Sequence, residues 1–389
     1  MIRPTAGGER MELNTPIKMP KASGFLWNKQ MMIHVNCRGY AVAQFMQPEP
    51  AKYAHAPNLA AKTFMQPEQP FYTHHPGRFF YIKEETTGSL FSAPYEPVRA
   101  KLDNYQFSVG KNDLLWVVEK DGIQVELRLS LSKDEPIELW QFKIKNTTKE
   151  TKKISVYPYF PVGYMSWMNQ SGVYDKKLNG IICSCITPYQ KYKEYEKIKT
   201  LKDKTFFLAD TPPTSWEVNQ WAFEGEGGLH YPTGIAATEL AKGAAHYETP
   251  ACVLQYRINL APKSTKSYRF LFGPARTNEA IREIRERYFG KKEATKDGFQ
   301  QALEQYKDYI AAGKGCIQIT TPDATLDNFV NHWLPRQLYY HGETNRLSTD
   351  PQTRNYLQDN MGSGYIKPEV ARQTYILSLI HISEPTRPY

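Results

Sequence analysis

The sequence is poor in cysteine, has no long apolar run, and carries no block of charge of one sign. Its five cysteines, Cys37, Cys183, Cys185, Cys252 and Cys316, are odd in number and irregularly spaced, which excludes the disulfide framework of a small secreted scaffold. Cys183 and Cys185 would share one face of a strand, yet no His or Cys lies near enough in sequence to complete a metal site, and none is expected. Residues 1–10 lack the apolar core of a signal peptide and nothing later suits a membrane helix, so the expectation is a cytoplasmic protein with reduced thiols and no membrane partner. The formal charge of +9 is dispersed; even the lysine-rich stretch 191–204 is interleaved with Glu194, Glu196 and Asp203. Without a basic stripe or a base-stacking motif, nucleic acid is not an expected partner.

What the chain does have is length and aromatic content. Its 389 residues suffice for two domains with cores of their own, and 26 tyrosines help bring the aromatic share to 13%. Most of these rings belong in sheet cores. The same composition also suits sugar binding, because a pyranose offers an apolar face for stacking and hydroxyls that need polar partners.

Up to residue 275 the dominant period is two. Ile123, Val125, Leu127, Leu129 and Leu131 alternate with Gln124, Glu126, Arg128 and Ser130, and Trp140, Phe142 and Ile144 alternate with Gln141, Lys143 and Lys145. Lys120-Asp121-Gly122 marks a hairpin between 114–119 and 123–131, and 146–153 reads as a polar turn. Within it, Asn146-Thr147-Thr148 fits a glycosylation sequon but reads as part of the turn. Phe-Met-Gln-Pro-Glu occurs at 45–49 and again at 64–68, where proline points to strand ends or edges. His74 and His75 would point to opposite faces of a strand, which argues against a shared metal. Successive strands with short turns predict a large antiparallel sandwich over 1–275.

After Pro274 the period becomes helical. Ile281, Ile284 and Tyr288 lie on one face before Gly290, and Phe299, Leu303, Tyr306 and Ile310 on another before Gly313, predicting a two-helix linker over 276–313. A short extended segment, 316–320, precedes Thr321-Pro322-Asp323, read as a capping hydroxyl, a first-position proline and an acidic first turn. Leu326, Phe329, Val330, Trp333 and Leu334 then form a continuous apolar face, with Pro335 expected to kink or tighten the helix and Gly342 to end it.

The run Pro322-Asp323-Ala324-Thr325-Leu326-Asp327, with Val330-Asn331, Trp333-Leu334-Pro335 and Gln337, resembles the start of the catalytic domain of the inverting phosphorylases of glycoside hydrolase family 94. That family includes cellobiose and chitobiose phosphorylases and domains of cyclic glucan synthases. Its next motif, aromatic-Arg-Asp-x-x-Gln-Asp, stands here as Thr353-Arg354-Asn355-Tyr356-Leu357-Gln358-Asp359, matching at Arg354, Gln358 and Asp359 and departing at Thr353 and Asn355. The resemblance implies a β-sandwich, a helical linker and an (α/α)6 barrel, of which 314–376 would be the beginning. It implies that Arg354 and Asp359 hydrogen-bond the sugar whose anomeric carbon reacts, with Gln358 positioning them. It also implies inorganic phosphate as co-substrate, no other cofactor, an oligosaccharide partner, and a homodimeric full-length protein.

The implied reaction is phosphorolysis of a β-linked disaccharide or oligosaccharide, with inversion to a sugar 1-phosphate. It needs a general acid and a phosphate site but no second carboxylate, because phosphate is itself the nucleophile. The family places both downstream of these motifs, so no catalytic residue is assigned here, and Asp323 and Asp327 are better explained by the helix start. An inverting hydrolase and a non-catalytic carbohydrate-binding sandwich are the competing readings. Finally, 377–387 resembles a translated transposase adaptor from sequencing libraries. The expectation is therefore that 377–389 is adaptor-derived, that native sequence ends near Ile376, and that the chain is by itself inactive.

Overall fold

The computed structural model describes residues 2–5, 8–45, 77–162, 170–184, 204–290, 297–313, 315, 317–344, 353–365 and 368–383. The second Phe-Met-Gln-Pro-Glu copy, His74-His75, Cys185 and nearly all of 191–204 lie outside them, as does all but Phe45 of the first copy.

The period-two segments form two facing antiparallel layers. The larger sheet has eleven strands. Its centre runs Asn104–Val109, Leu114–Lys120, Ile123–Leu131, Glu138–Asn146, Thr265–Ala275, Lys204–Ala209 and Gly180–Ser184. The facing sheet has five strands: Ser215–Asn219, Pro250–Leu260, Lys152–Pro161, Phe79–Glu84 and Leu90–Ala93. A third sheet, Ser23–Trp27, Met31–Asn36 and Ala41–Phe45, adds three more strands to the same core.

The predicted hairpin is present, with Lys120 opposite Ile123. Asp121 and Gly122 have φ of 51° and 74°, the left-handed pair that a two-residue turn needs to match strand twist. From that register the inward set follows: Trp116 opposes Leu127, Leu127 opposes Phe142, and Phe142 opposes Tyr268. Across the layers Phe80 stacks on Phe142 at 5.3 Å, and Phe160 meets Phe207 at 4.6 Å and Phe272 at 5.1 Å. Asn146 is fully buried, its amide donating to the carbonyls of Glu150, Leu260 and Ala261, so the sequon is spent on the turn.

Some strands are buried on both faces, so that their pattern marks the strand but not its inward side. In Lys152–Pro161 every residue from Ile154 onward is buried. Its outer face, with Tyr157 and Tyr159, lies under a cover formed by Phe223 of helix α1 (Gln220–Glu224), Leu229, Ile235 and Leu240. The outer face of the large sheet is likewise covered where Leu139, Phe206, Leu208 and Leu271 meet helices α2 (Asn278–Phe289) and α3 (Gly298–Ala311).

The two linker helices appear where the periodicity placed them, fastened to the sandwich rather than spanning free space. Arg269 donates to Asp210 at 2.9 Å and to Asp297, the N-cap of α3, at 2.7 Å, and its guanidinium lies over the rings of Phe289 and Phe299. Tyr306 Oη both donates to the Trp27 carbonyl at 2.9 Å and accepts from the Trp27 N–H at 3.3 Å. Tyr288 Oη contacts Ser132 Oγ at 2.9 Å and Glu135 at 3.0 Å.

The helical segment follows as α4 (Ala324–Asn328), a π-helical turn (Phe329–Trp333), α5 (Leu334–Thr344), α6 (Thr353–Asn360), a 3-10 turn (Met361–Tyr365) and α7 (Pro368–Ser383). Three local expectations need correction. The N-cap is Asp323, whose carboxylate accepts from the N–H groups of Thr325 and Leu326; Thr321 instead donates its hydroxyl to Asp327 and to the Asp323 carbonyl. Of the two outcomes expected at Pro335, a kink or a tightening, the tightening does not occur. The proline ring would press on the Asn331 carbonyl and the residue offers no N–H, so the preceding turn widens until the Leu334 N–H reaches the Phe329 carbonyl. Gly342 does not end α5, which continues to Thr344. Residues 317–320 form no strand; the Asn331 side chain pairs with both backbone groups of Ile319 at 2.9 Å, standing in for a neighbouring strand.

Candidate functional site

The residues assigned to sugar binding fall on α6. Arg354 and Gln358 are one turn apart, and Asp359 is the next residue. The Arg354 side chain lies outside the described residues; Gln358 is exposed and Asp359 half-buried. Behind them Asn360 is buried and accepts from Ser363 Oγ at 3.3 Å. The structure thus sets Gln358 and Asp359 on one short helix, but encloses neither in the cavities described below. Around them apolar side chains stand open: Met361, Tyr365, Tyr375 and Ile376 are 63%, 59%, 48% and 44% exposed.

The same holds for the face on α4 and the π turn. Leu326, Phe329 and Leu334 are 45%, 52% and 36% exposed, with Val330 and Trp333 half-buried. A partly apolar cavity of about 390 Å³ opens beside it, between Phe329 and Trp333 on one side and Leu13, Phe25, Phe107 and Val109 on the other. The next helix, α5, is the one that meets the sandwich closely. Tyr340 packs edge-on against Phe25 and Trp27, at 5.0 and 5.4 Å. Arg336 lies over the same two rings at 4.7 and 4.6 Å, and its Nε and Nη2 donate to the carbonyls of Lys111 and Phe25.

Inside the sandwich, a charged pair sits in the core. Arg78 and Glu138 are both fully buried and joined by two hydrogen bonds, Nε to Oε2 at 2.8 Å and Nη2 to Oε1 at 2.6 Å. Trp140 Nε1 also donates to Glu138, and the guanidinium lies over Phe272 at 4.5 Å. The sequence pattern missed this pair, although parity could have shown it: Glu138 is in phase with the inward set Trp140, Phe142 and Ile144. With each charge matched by the other and by further hydrogen bonds, the pair offers no free reactive group. Close by, Cys183 lies 3.9 Å from Cys252, both buried. Burial and the neighbouring thiol push Cys252 well above its ordinary pKa, which keeps it protonated and unsuited to nucleophilic work. Among the described residues, no three His, Cys, Asp or Glu side chains converge to hold a metal. No helix of the described residues is long and apolar enough to cross a membrane.

Two broad facing antiparallel layers, with a third sheet joined to their core, make a β-supersandwich. The glycosyl hydrolase 94 supersandwich domain matches residues 67–291, and the chain belongs to that family. It is 58% identical over 379 residues to the cellobionic acid phosphorylase of Neurospora crassa, covering 97% of this chain and 47% of that protein. It is 26% identical over 311 residues to a 3-O-beta-D-glucopyranosyl-beta-D-glucuronide phosphorylase of Paenibacillus borealis, covering 79% of this chain and 39% of that one. The chain therefore spans less than half the length of these curated relatives. Among solved structures, a putative kojibiose phosphorylase from the human microbiome aligns with a TM-score of 0.48 and 11% identity, over 89% of this chain and 42% of the other.

Proposed function

We propose that this chain is the N-terminal part of a glycoside phosphorylase that cleaves cellobionic acid with inorganic phosphate, inverting the reacting anomeric centre to give a sugar 1-phosphate. The 58% identity to the Neurospora cellobionic acid phosphorylase carries the reading, because it runs over 97% of the chain, the helical segment included. In this reading the sandwich and α2–α3 form the platform against which the catalytic helices assemble, and α6 presents Arg354, Gln358 and Asp359 to the sugar. Charged groups make the stronger hydrogen bonds to hydroxyls, so Arg354 and Asp359 would hold the ring while Gln358 orients them. Phosphate is co-substrate and no further cofactor is needed. The working protein is a cytoplasmic homodimer without nucleic-acid or membrane partners.

The test is a chimaera in which residues 1–376 replace the corresponding half of the Neurospora enzyme. It should release sugar phosphate from cellobionic acid and phosphate, whereas the 389-residue chain alone should release none. General acid catalysis by itself is worth about 10²–10⁴-fold, and the reading places that acid outside this chain. A folded chimaera that ignores cellobionic acid, or robust turnover by the chain alone, would overturn the assignment.

A further inference from the structure

A second cavity at the junction of sandwich, linker and helical segment has a different character from the apolar one. It encloses about 280 Å³ and is lined from three sides. The turn after Asn104–Val109 contributes Lys111, α3 contributes Lys307, and the π turn with the start of α5 contributes His332 and Arg336; Glu9 and Arg10 close the rim. Four permanent cations thus meet one carboxylate. Arg10 is neutralised by Asp113 at 2.5 Å, which itself also serves Arg128. Lys307 has no carboxylate partner among the described residues.

Arg336 is the decisive residue. It is 6% exposed, and a buried cation is ordinarily matched by an acidic group. Here Nε and Nη2 are held by two backbone carbonyls and the guanidinium faces by Phe25 and Trp27, while Nη1 has no hydrogen bond and no carboxylate lies within ion-pair distance among the described residues. Burial pulls its pKa down to about 10, against only a partial offset from the Tyr306 phenol. Next to it Lys111 Nζ donates to His332 Nδ1 at 2.7 Å, which fixes the imidazole proton on Nε2. Burial and Lys111 both hold His332 below its ordinary pKa, so at neutral pH it is uncharged. The cavity therefore has fixed donors, surplus positive charge and a buried guanidinium with one free edge.

We infer that this junction binds a small oxyanion, a phosphate or the carboxylate of a sugar acid, between Arg336, Lys111 and Lys307. Because the three cations come from three different parts of the fold, a bound anion fixes α5 against the linker and the sandwich. The inference stands apart from the proposed reaction, and its test needs no catalysis.

In the 389-residue chain, inorganic phosphate and gluconate are titrated separately at constant ionic strength with chloride as control, while the imidazole resonances of His332, assigned through His332→Gln, are followed. Saturable binding of either ligand should shift them and raise the His332 pKa, since an anion favours imidazolium. Phosphate binding alone identifies the phosphoryl source, gluconate alone the carboxylate source, and both an unselective oxyanion site. Lys307→Gln changes an exposed side chain and should leave the melting temperature unchanged while weakening binding about tenfold; Lys111→Gln/Lys307→Gln should remove it. If neither ligand moves His332 more than chloride does, or if binding survives the double substitution unchanged, the inference fails.

Discussion

The sandwich and the helical segment after residue 313 draw on similar apolar side chains and treat them in opposite ways. In the sandwich, Trp116 and Trp140 are fully buried and Phe142 is 1% exposed; on α4 and the π turn, Leu326 and Phe329 are about half exposed. A sheet strand has two faces, and here the apolar ones are met: by the opposing sheet, by α2 and α3, or by the cover around α1. A helix offers one apolar stripe; the stripe of α4 and the π turn stays largely open, while α5 meets the sandwich through Arg336 and Tyr340. The first region should therefore respond to substitution as a finished core, the second as a surface.

The sharpest way to break that comparison is to remove one member of the buried charge pair. Arg78→Met takes both guanidinium hydrogen bonds and the compensating charge away from the buried Glu138, and should cost about 3–5 kcal/mol in urea denaturation. Arg78→Met/Glu138→Leu should recover most of that loss, since two apolar side chains remove the stranded charge. A single substitution costing less than about 1 kcal/mol would mean that water reaches the pair and that the sandwich is less closed than its packing implies.

Acid should expose the next largest weakness of the sandwich. Burial lowers the His34 pKa from 6.5 to about 4, so between those values the unfolded chain binds a proton that the folded chain refuses. Stability then rises with pH through this window and is lost as pH falls from 6.5 towards 4, by up to ~3 kcal/mol. His34→Gln should flatten that slope in denaturation curves taken at successive pH values. An unchanged slope would place the acid sensitivity elsewhere.

How far this organisation was legible depends on which physical signal a residue leaves in the sequence. The hairpin at Asp121-Gly122, the inward set on Ile123–Leu131 and both linker helices leave periodic or turn signals, and they stand where those signals placed them. In Lys152–Pro161 the alternate residues Ile154, Val156 and Pro158 mark the strand, but burial on both faces hides which of its sides is inward. Asp323 took the cap from Thr321 because both residue types accept the same N–H bonds and only the backbone course decides between them. The π turn before Pro335 is a backbone response that a side-chain pattern does not encode. The motif expected to bind sugar, Arg354 with Gln358 and Asp359, falls on one helix, α6. The cationic junction was not legible, because Lys111, Lys307 and Arg336 are far apart in sequence and each reads alone as a solvated charge.

The linker sharpens the comparison, since it belongs by sequence to neither region. Tyr306→Phe removes a hydroxyl that serves both backbone groups of Trp27, leaving a buried N–H and carbonyl unmet at no cost in shape. The expected loss is about 1–3 kcal/mol, in the same transition that reports the sandwich. A separate, earlier transition for this variant would show that α3 unfolds on its own and belongs with the helices.

The smallest effect is expected at Phe329, and it decides the other half of the comparison. A core phenylalanine replaced by a small residue costs about 3–5 kcal/mol, because a cavity remains where the ring was. Phe329 is 52% exposed on a turn already widened by Pro335, so Phe329→Ser leaves little cavity and should stay within about 0.5 kcal/mol of the parent. Its larger consequence should be in solution behaviour. With Leu326 and Leu334 also open, the ring contributes to an apolar surface that favours self-association, and the serine variant should sediment with a lower weight-average mass at high concentration. A loss of several kcal/mol at Phe329 instead would mean that the cavity between Trp333 and Phe25 closes over the ring in solution, and that the helical segment already owns a core.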